Sequence, residues 1–138
     1  MHTGINRTAS DIAGEYSSSL NNQKYAMNEI YSQVNEAEDL LKKNRLDDFG
    51  KLLNESWKYK RSLNKVISNR KIDELYEYSL NCGALGGKIL GAGGGGFLLL
   101  YVPRNKLFNF NIKLKKLVKV KFKFSEIGSE IILNNENE

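Results

Sequence analysis

The chain predicts an α+β fold, with helices packed on one face of a small, mainly antiparallel sheet. Three observations predict it. Apolar residues recur at helical spacing through most of residues 23–82. An unbroken apolar run at residues 97–102 has the length of a buried strand. Residues 119–124 alternate strictly between lysine and an apolar side chain, which is the period of a strand. With 138 residues, 41% hydrophobic and 27% charged, the chain is sized and composed as one globular domain that needs no disulfide staples.

Residues 3–10 read as the turn leaving a strand, followed by a helix at about residues 8–19. From residue 23 to 43, Met27, Ile30, Val34, Ala37 and Leu41 form one apolar stripe. A second helix is expected at about residues 46–66, with Leu46, Phe49, Leu52, Leu53 and Trp57 inward and Lys58, Lys60 and Arg61 at the end of that stripe. A third starts after Ser68-Asn69 and stops at Gly83, with Asp73 and Glu74 in its first turn. Tyr25, Tyr31, Tyr76 and Tyr78 are expected at the edge of the core. Pro103 opens a helical or irregular connection to about residue 116, and residues 119–124 and 129–133 complete the sheet. The alternation places Val120, Phe122 and Phe124 on the face opposite the lysines, toward the core.

Net charge is +5, a mild basic bias compatible with phosphorylated ligands or nucleic acid. The single cysteine, Cys82, allows no internal disulfide and suits a reducing cytoplasm. Its expected role is that of a small apolar residue near a helix end. No apolar run reaches the length of a membrane span, and the amino end lacks a signal-peptide pattern. A cytoplasmic protein is the expectation.

Eight of the 12 glycines fall between residues 83 and 96. Each ordered glycine costs roughly 0.5–1 kcal/mol of extra chain entropy relative to alanine. So dense a cluster implies backbone at positive φ, or backbone in very close approach to something else. Residues 93–96 expose four successive amides, the makings of an anion-binding nest. A P-loop is excluded, because Ile89 follows Gly87-Lys88 and Cys82 stands where its first glycine belongs. Gly91-x-Gly93-x-x-Gly96 matches the dinucleotide pattern by letter, but a strand follows where that motif needs a helix, and no acid lies about twenty residues on.

The run Gly86-Gly87-Lys88-Ile89-Leu90-Gly91-Ala92-Gly93-Gly94-Gly95-Gly96-Phe97 resembles the third, C-terminal glycine-rich motif of the GHMP kinases. These are small-molecule kinases acting on substrates such as galactose, homoserine and mevalonate. Within that family the likeness is to the D-glycero-D-manno-heptose 7-phosphate kinases. It is supported by Thr3-Gly4-Ile5-Asn6-Arg7-Thr8-Ala9-Ser10, by Glu55-Ser56-Trp57-Lys58-Tyr59-Lys60-Arg61, and by the tail from Phe122 through Ser129. It spans essentially the whole chain but only the second half of such an enzyme. The resemblance implies a ferredoxin-like C-terminal domain over residues 1–138, with the N-terminal ATP-binding domain missing.

The resemblance also implies a role. ATP and Mg²⁺ would serve the complete enzyme, which would phosphorylate a sugar phosphate. The phosphate-wrapping motif and the catalytic carboxylates of these kinases belong to the first domain, so no catalytic or metal-binding residue is assigned here. Gly91, Ala92, Gly93, Gly94, Gly95 and Gly96 would form the substrate and phosphate loop, braced or charged by Lys88. Thr3, Gly4 and Arg7 would lie near substrate, Arg7 either holding a sugar phosphate bidentately or making a surface ion pair. Lys60 and Arg61 would meet a phosphate or, more simply, complement the carboxyl end of their helix. The partners implied are a sugar-phosphate substrate and the missing kinase domain. Apolar surface left bare around Phe97 and residues 3–7 would favour self-association. Two other readings stand beside this one: a small basic module binding anions or nucleic acid, and an inactive gene remnant.

Overall fold

Turn and cap chemistry sets the helix boundaries. The computed structural model describes residues 1–5 and 23–123. The helix expected at residues 8–19, Arg7, Phe124 and the strand expected at residues 129–133 lie outside the described residues. Helix α1 (Lys24–Lys42) ends at Asn44, which adopts a left-handed conformation (φ 53°). The Arg45 amide then donates to the Leu40 carbonyl (2.8 Å) and the Asn44 amide to that of Leu41 (3.0 Å). These bonds satisfy carbonyls that a helix end leaves open.

The turn leads into α2 (Leu46–Leu63), which lies between α1 and a β-hairpin. Contact with α2 runs along Ala26, Ile30, Gln33, Ala37 and Leu40, all at least partly buried. The expected stripe shares only Ile30 and Ala37 with that line. Met27, Val34 and Leu41 sit one position further round and are 42%, 59% and 49% exposed. The apolar stripe is therefore wider than the contact that uses it. Leu52 and Trp57 of α2 are buried as expected, but Leu46 is not, being at the helix start beyond the reach of the core.

Helix α2 stops three residues before the expected end. Asn64 is extended (φ −160°, ψ 144°), and its side chain accepts from the Val66 amide (3.1 Å), opening a 3-10 turn at Lys65–Ile67. Ile67 is driven fully into the core. Helix α3 (Arg70–Asn81) is capped by the Asn69 side chain, which accepts from the Ile72 amide (3.1 Å), and Gly83 (φ 115°) follows its end. Of the four tyrosines expected at the core edge, Tyr76 lies inside it, packed on Trp57. Its hydroxyl donates to Asn54 Oδ1 (2.7 Å), and burial pushes its phenol up to about 12. Tyr25, Tyr31 and Tyr78 are exposed.

Strand β1 (Gly86–Ile89) pairs antiparallel with β2 (Leu98–Tyr101), Gly86 opposite Tyr101 and Ile89 opposite Leu98. No strand was expected before the loop, since two of the four residues of β1 are glycines with poor strand propensity. Its reason is close approach. A Cβ on Gly86 would overlap the Gly50 carbonyl of α2, and one on Gly50 would overlap the Tyr101 ring. Glycine at both points lets helix and hairpin touch backbone to backbone. Along the other edge of β2, residues 1–5 add a third line. Leu98 and Met1 exchange bonds (both 2.7 Å), and the Thr3 amide donates to Gly96 (2.8 Å).

Trp57, Ile67, Ile72, Tyr76, Ile89 and Leu98 make the centre of the core. Each such side chain contributes about 1.5–3 kcal/mol on burial. Pro103 leads through a turn to α4 (Leu107–Lys113), whose Phe110 joins Cys82, Ala84 and Leu114 in a second cluster. Cys82 is thus the buried apolar residue expected. Residues 119–123 form no strand, and Val120 and Phe122 are 51% and 63% exposed rather than in the core. Alternation alone cannot hold a strand without a paired edge. Just before this stretch the His2 amide donates to the Val118 carbonyl (3.1 Å).

Candidate functional site: the glycine loop and its supports

Residues 91–96 close the β1–β2 hairpin, and the Leu90 amide donating to the Phe97 carbonyl (2.9 Å) fixes the mouth of the loop. Gly91, Gly93, Gly94 and Gly96 have φ of 74°, 114°, 72° and 84°, where a side chain is strained. Close approach adds to this requirement. A Cβ on Gly93 would stand 2.9 Å from the Ile67 carbonyl oxygen, and one on Gly95 would stand 2.6 Å from that of Ile5. Gly93, Gly94 and Gly95 are consequently buried, while Gly91 forms an exposed lip.

The four amides of residues 93–96 are not all open, as the sequence suggests. Gly94 donates to Ile67 (2.8 Å) and Gly96 to Ile5 (3.0 Å). The alternate amides, of Gly93 and Gly95, donate to no described residue. Asn69 adds a third tie: its Nδ2 donates to the Gly94 carbonyl (3.1 Å) while its oxygen caps α3. Its cap role is legible in the sequence. Its reach to a glycine 25 residues away is not.

Lys60 supplies a fourth support. Its ammonium donates to the Gly91 carbonyl (2.6 Å) and approaches that of Ile89 (3.5 Å). Burial first, and then the positive charge of Lys88, lower its pKa from the usual lysine value. Lys88 extends from β1 into a hollow of about 180 Å³ between α1 and α2, beside Gln33 and Ser56. Arg61 turns the other way, its guanidinium 3.4 Å from Asp73, whose carboxylate also accepts from the Ser68 hydroxyl (2.6 Å). Both cations stand in the last turn of α2, where positive charge suits the helix end. Their tips are committed to the loop and to α3.

Thr3 reaches the far side of the loop, its amide and hydroxyl both donating to the Gly96 carbonyl (2.8 and 2.9 Å). Gly4 turns the chain at φ 75°, and its amide donates to His2 Nδ1 (3.1 Å). The fold therefore gathers Thr3, Gly4, Lys60, Lys88 and residues 91–96, sets Arg61 aside, and adds Asn69. Phe97, at the loop's exit, is 43% exposed beside His2.

Residues 37–107 match the family model described as GHMP kinases C terminal. The chain is 29% identical over 83% of its length to D-glycero-alpha-D-manno-heptose 7-phosphate kinase of Campylobacter jejuni, covering 34% of that protein. It is 37% identical over 70% of its length to galactokinase of Clostridium tetani, covering 26% of it. The fold matches the crystal structure of L. major mevalonate kinase in complex with R-mevalonate, with a TM-score of 0.69 and 24% identity over 83% of this chain and 36% of that one. The chain thus spans about a third or less of the length of the proteins it matches.

Proposed function

The chain belongs to the GHMP kinase C-terminal family, and from that premise we propose that it is the C-terminal part of an ATP-dependent sugar-phosphate kinase. Its acceptor on this reading is heptose 7-phosphate, and the chain forms one wall of the substrate cleft and does not turn over alone. The observation that carries the reading is the glycine loop, closed over a buried floor yet keeping alternate amides unpaired among the described residues.

Phosphoryl transfer depends on positioning and on neutralising charge that spreads over the transferred group. The chain's own groups suit the first task. The Gly93 and Gly95 amides sit in a loop held by Ile67, Ile5 and Asn69, so they need no reorganisation when an anion arrives, which is the condition for strong electrostatic stabilisation. Lys60 sets the lip at Gly91, Thr3 sets the exit at Gly96, and Lys88 adds positive charge nearby. ATP would bring the phosphoryl group, and Mg²⁺ would screen its charge. Among the described residues no cluster of three or more His, Cys, Asp or Glu is placed to hold a metal. On this reading the metal and most of the nucleotide are held by the other part of the kinase, the partner that completes the cleft.

Among the described residues no helix is long and apolar enough to cross a membrane, and a cytoplasmic setting accords with a phosphorylated sugar substrate. The test is ADP release with heptose 7-phosphate, ATP and Mg²⁺, first with the chain alone and then with the N-terminal portion of the Campylobacter jejuni relative added. We expect turnover only in the mixture. Turnover by the chain alone would overturn its dependence on a partner. A stable mixed complex that phosphorylates no sugar or sugar phosphate would overturn the kinase reading.

A further inference from the structure

Helices α1 and α2 do not close completely on each other. The hollow of about 180 Å³ between them is walled by Ile30 and Val34 of α1 and by Phe49 and Leu53 of α2. None of its walls belongs to the glycine loop. A cavity of about 150 Å³ with an apolar lining holds a six-carbon ring, so this one has room for a small organic molecule.

Three polar side chains stand in the hollow, and each is unmatched. Gln33 Oε1 is buried and accepts from no donor. The Ser56 hydroxyl and the Lys88 ammonium make no hydrogen bond or ion pair among the described residues. No acid lines the hollow. At Lys60, burial first and then the charge of Lys88 lower the pKa, so the charge of Lys88 still reaches that far. Polar groups left without partners in an apolar setting cost free energy that a ligand can recover. An apolar cavity with a few convergent polar groups is the usual form of a small-molecule site.

We propose that this hollow binds a small monocarboxylic acid of about six carbons, with an apolar tail and one hydroxyl beside the carboxylate. The carboxylate pairs with Lys88 and accepts from the Ser56 hydroxyl. The tail lies among Ile30, Val34, Phe49 and Leu53, and the ligand hydroxyl donates to Gln33 Oε1. The match is one of charge and of count: a single negative charge meets a single cation, and one donor meets one open acceptor. An amino acid fits less well. Its ammonium brings a second cation beside Lys88 and carries three donors where Gln33 offers one oxygen. The inference does not depend on the kinase reading, because it uses none of the glycine loop's amides.

The probe is 2-hydroxy-4-methylpentanoate, titrated into the ¹⁵N-labelled 138-residue chain. The comparison ligands are 4-methylpentanoate, leucine and 4-methylpentan-1-ol. Saturable amide shifts are expected at residues 30–37, 49–56 and 88, and not at residues 93–96. The acid without the hydroxyl should bind about fivefold more weakly, and leucine and the alcohol at least about tenfold more weakly. Lys88→Met keeps the apolar stem and removes the charge. It should weaken the hydroxy acid at least about tenfold and leave Tm within about 2 °C, since the cation it removes pairs with nothing in the free chain. Gln33→Met should make the two acids bind equally. Three results would overturn the proposal: the alcohol binding as well as the acid, full binding in Lys88→Met, or no saturable shift up to about 20 mM hydroxy acid. A preference for the hydroxy acid that survives Gln33→Met would overturn the class of ligand.

Discussion

The glycine loop and the stretch at residues 118–123 invert what their compositions suggest. The loop consists of residues with the largest entropy to lose, yet it is fixed from several sides by Ile67, Asn69, Ile5, Thr3 and Lys60. The lysine-alternating stretch has a far better strand sequence, yet it forms no strand among the described residues and leaves Val118, Val120 and Phe122 more than half exposed. Order in this molecule follows the supply of partners for the backbone. Propensity decides little where those partners are present or absent. The loop also shows where such fixing falls: Gly94 and Gly96 donate to Ile67 and Ile5, while the amides of Gly93 and Gly95 meet no acceptor among the described residues.

The comparison breaks most readily at Gly93. Gly93→Ala would place a Cβ 2.9 Å from a backbone oxygen at a φ of 114°. Neither the Ile67 carbonyl nor the strand exit can move without disturbing the core. We expect a loss of about 2–4 kcal/mol in urea denaturation, combining backbone strain and overpacking. A loss below about 1 kcal/mol would show that the loop yields, and that its fixed amides are not fixed.

Asn69 sharpens the same point at a smaller scale. Asn69→Ala removes both the cap of α3 and the tie to Gly94, for a loss of about 1–2 kcal/mol. Asn69→Asp keeps an acceptor for the Ile72 amide but has no donor for the Gly94 carbonyl. It should retain most of the helix stability while the Gly94 and Gly96 amides exchange faster with solvent. Unchanged exchange in Asn69→Asp would assign the loop's order to packing against Ile67 and Ile5 alone.

Helix α3 was legible in the sequence because its boundary chemistry is local: Asn69 and Gly83 act within a turn of where they stand. The loop was legible as backbone under constraint, since no other property explains four successive glycines. What could not be read was everything that depended on a neighbour distant in sequence. Strand β1 exists because Gly86 meets Gly50, a contact between two residues that each read as weak spots. The rotation of α1 that leaves Val34 and Leu41 outside follows from the line along which α2 meets it. Lys60 read as a phosphate ligand or a helix-end charge, and its tip lies on the Gly91 carbonyl because β1 brings that carbonyl to it. Val120 and Phe122 were misplaced for the same reason: alternation marks two faces but does not say whether either is covered.

The smallest effect belongs to the open side of the comparison. Val120→Thr keeps the branched shape and adds a hydroxyl. In a buried strand that hydroxyl would lack a partner and destabilise the chain by about 1–3 kcal/mol. At 51% exposure it meets water, and the change in stability should stay within about 0.5 kcal/mol. Unchanged stability would mark residue 120 as surface. A large loss of stability would return it to the core.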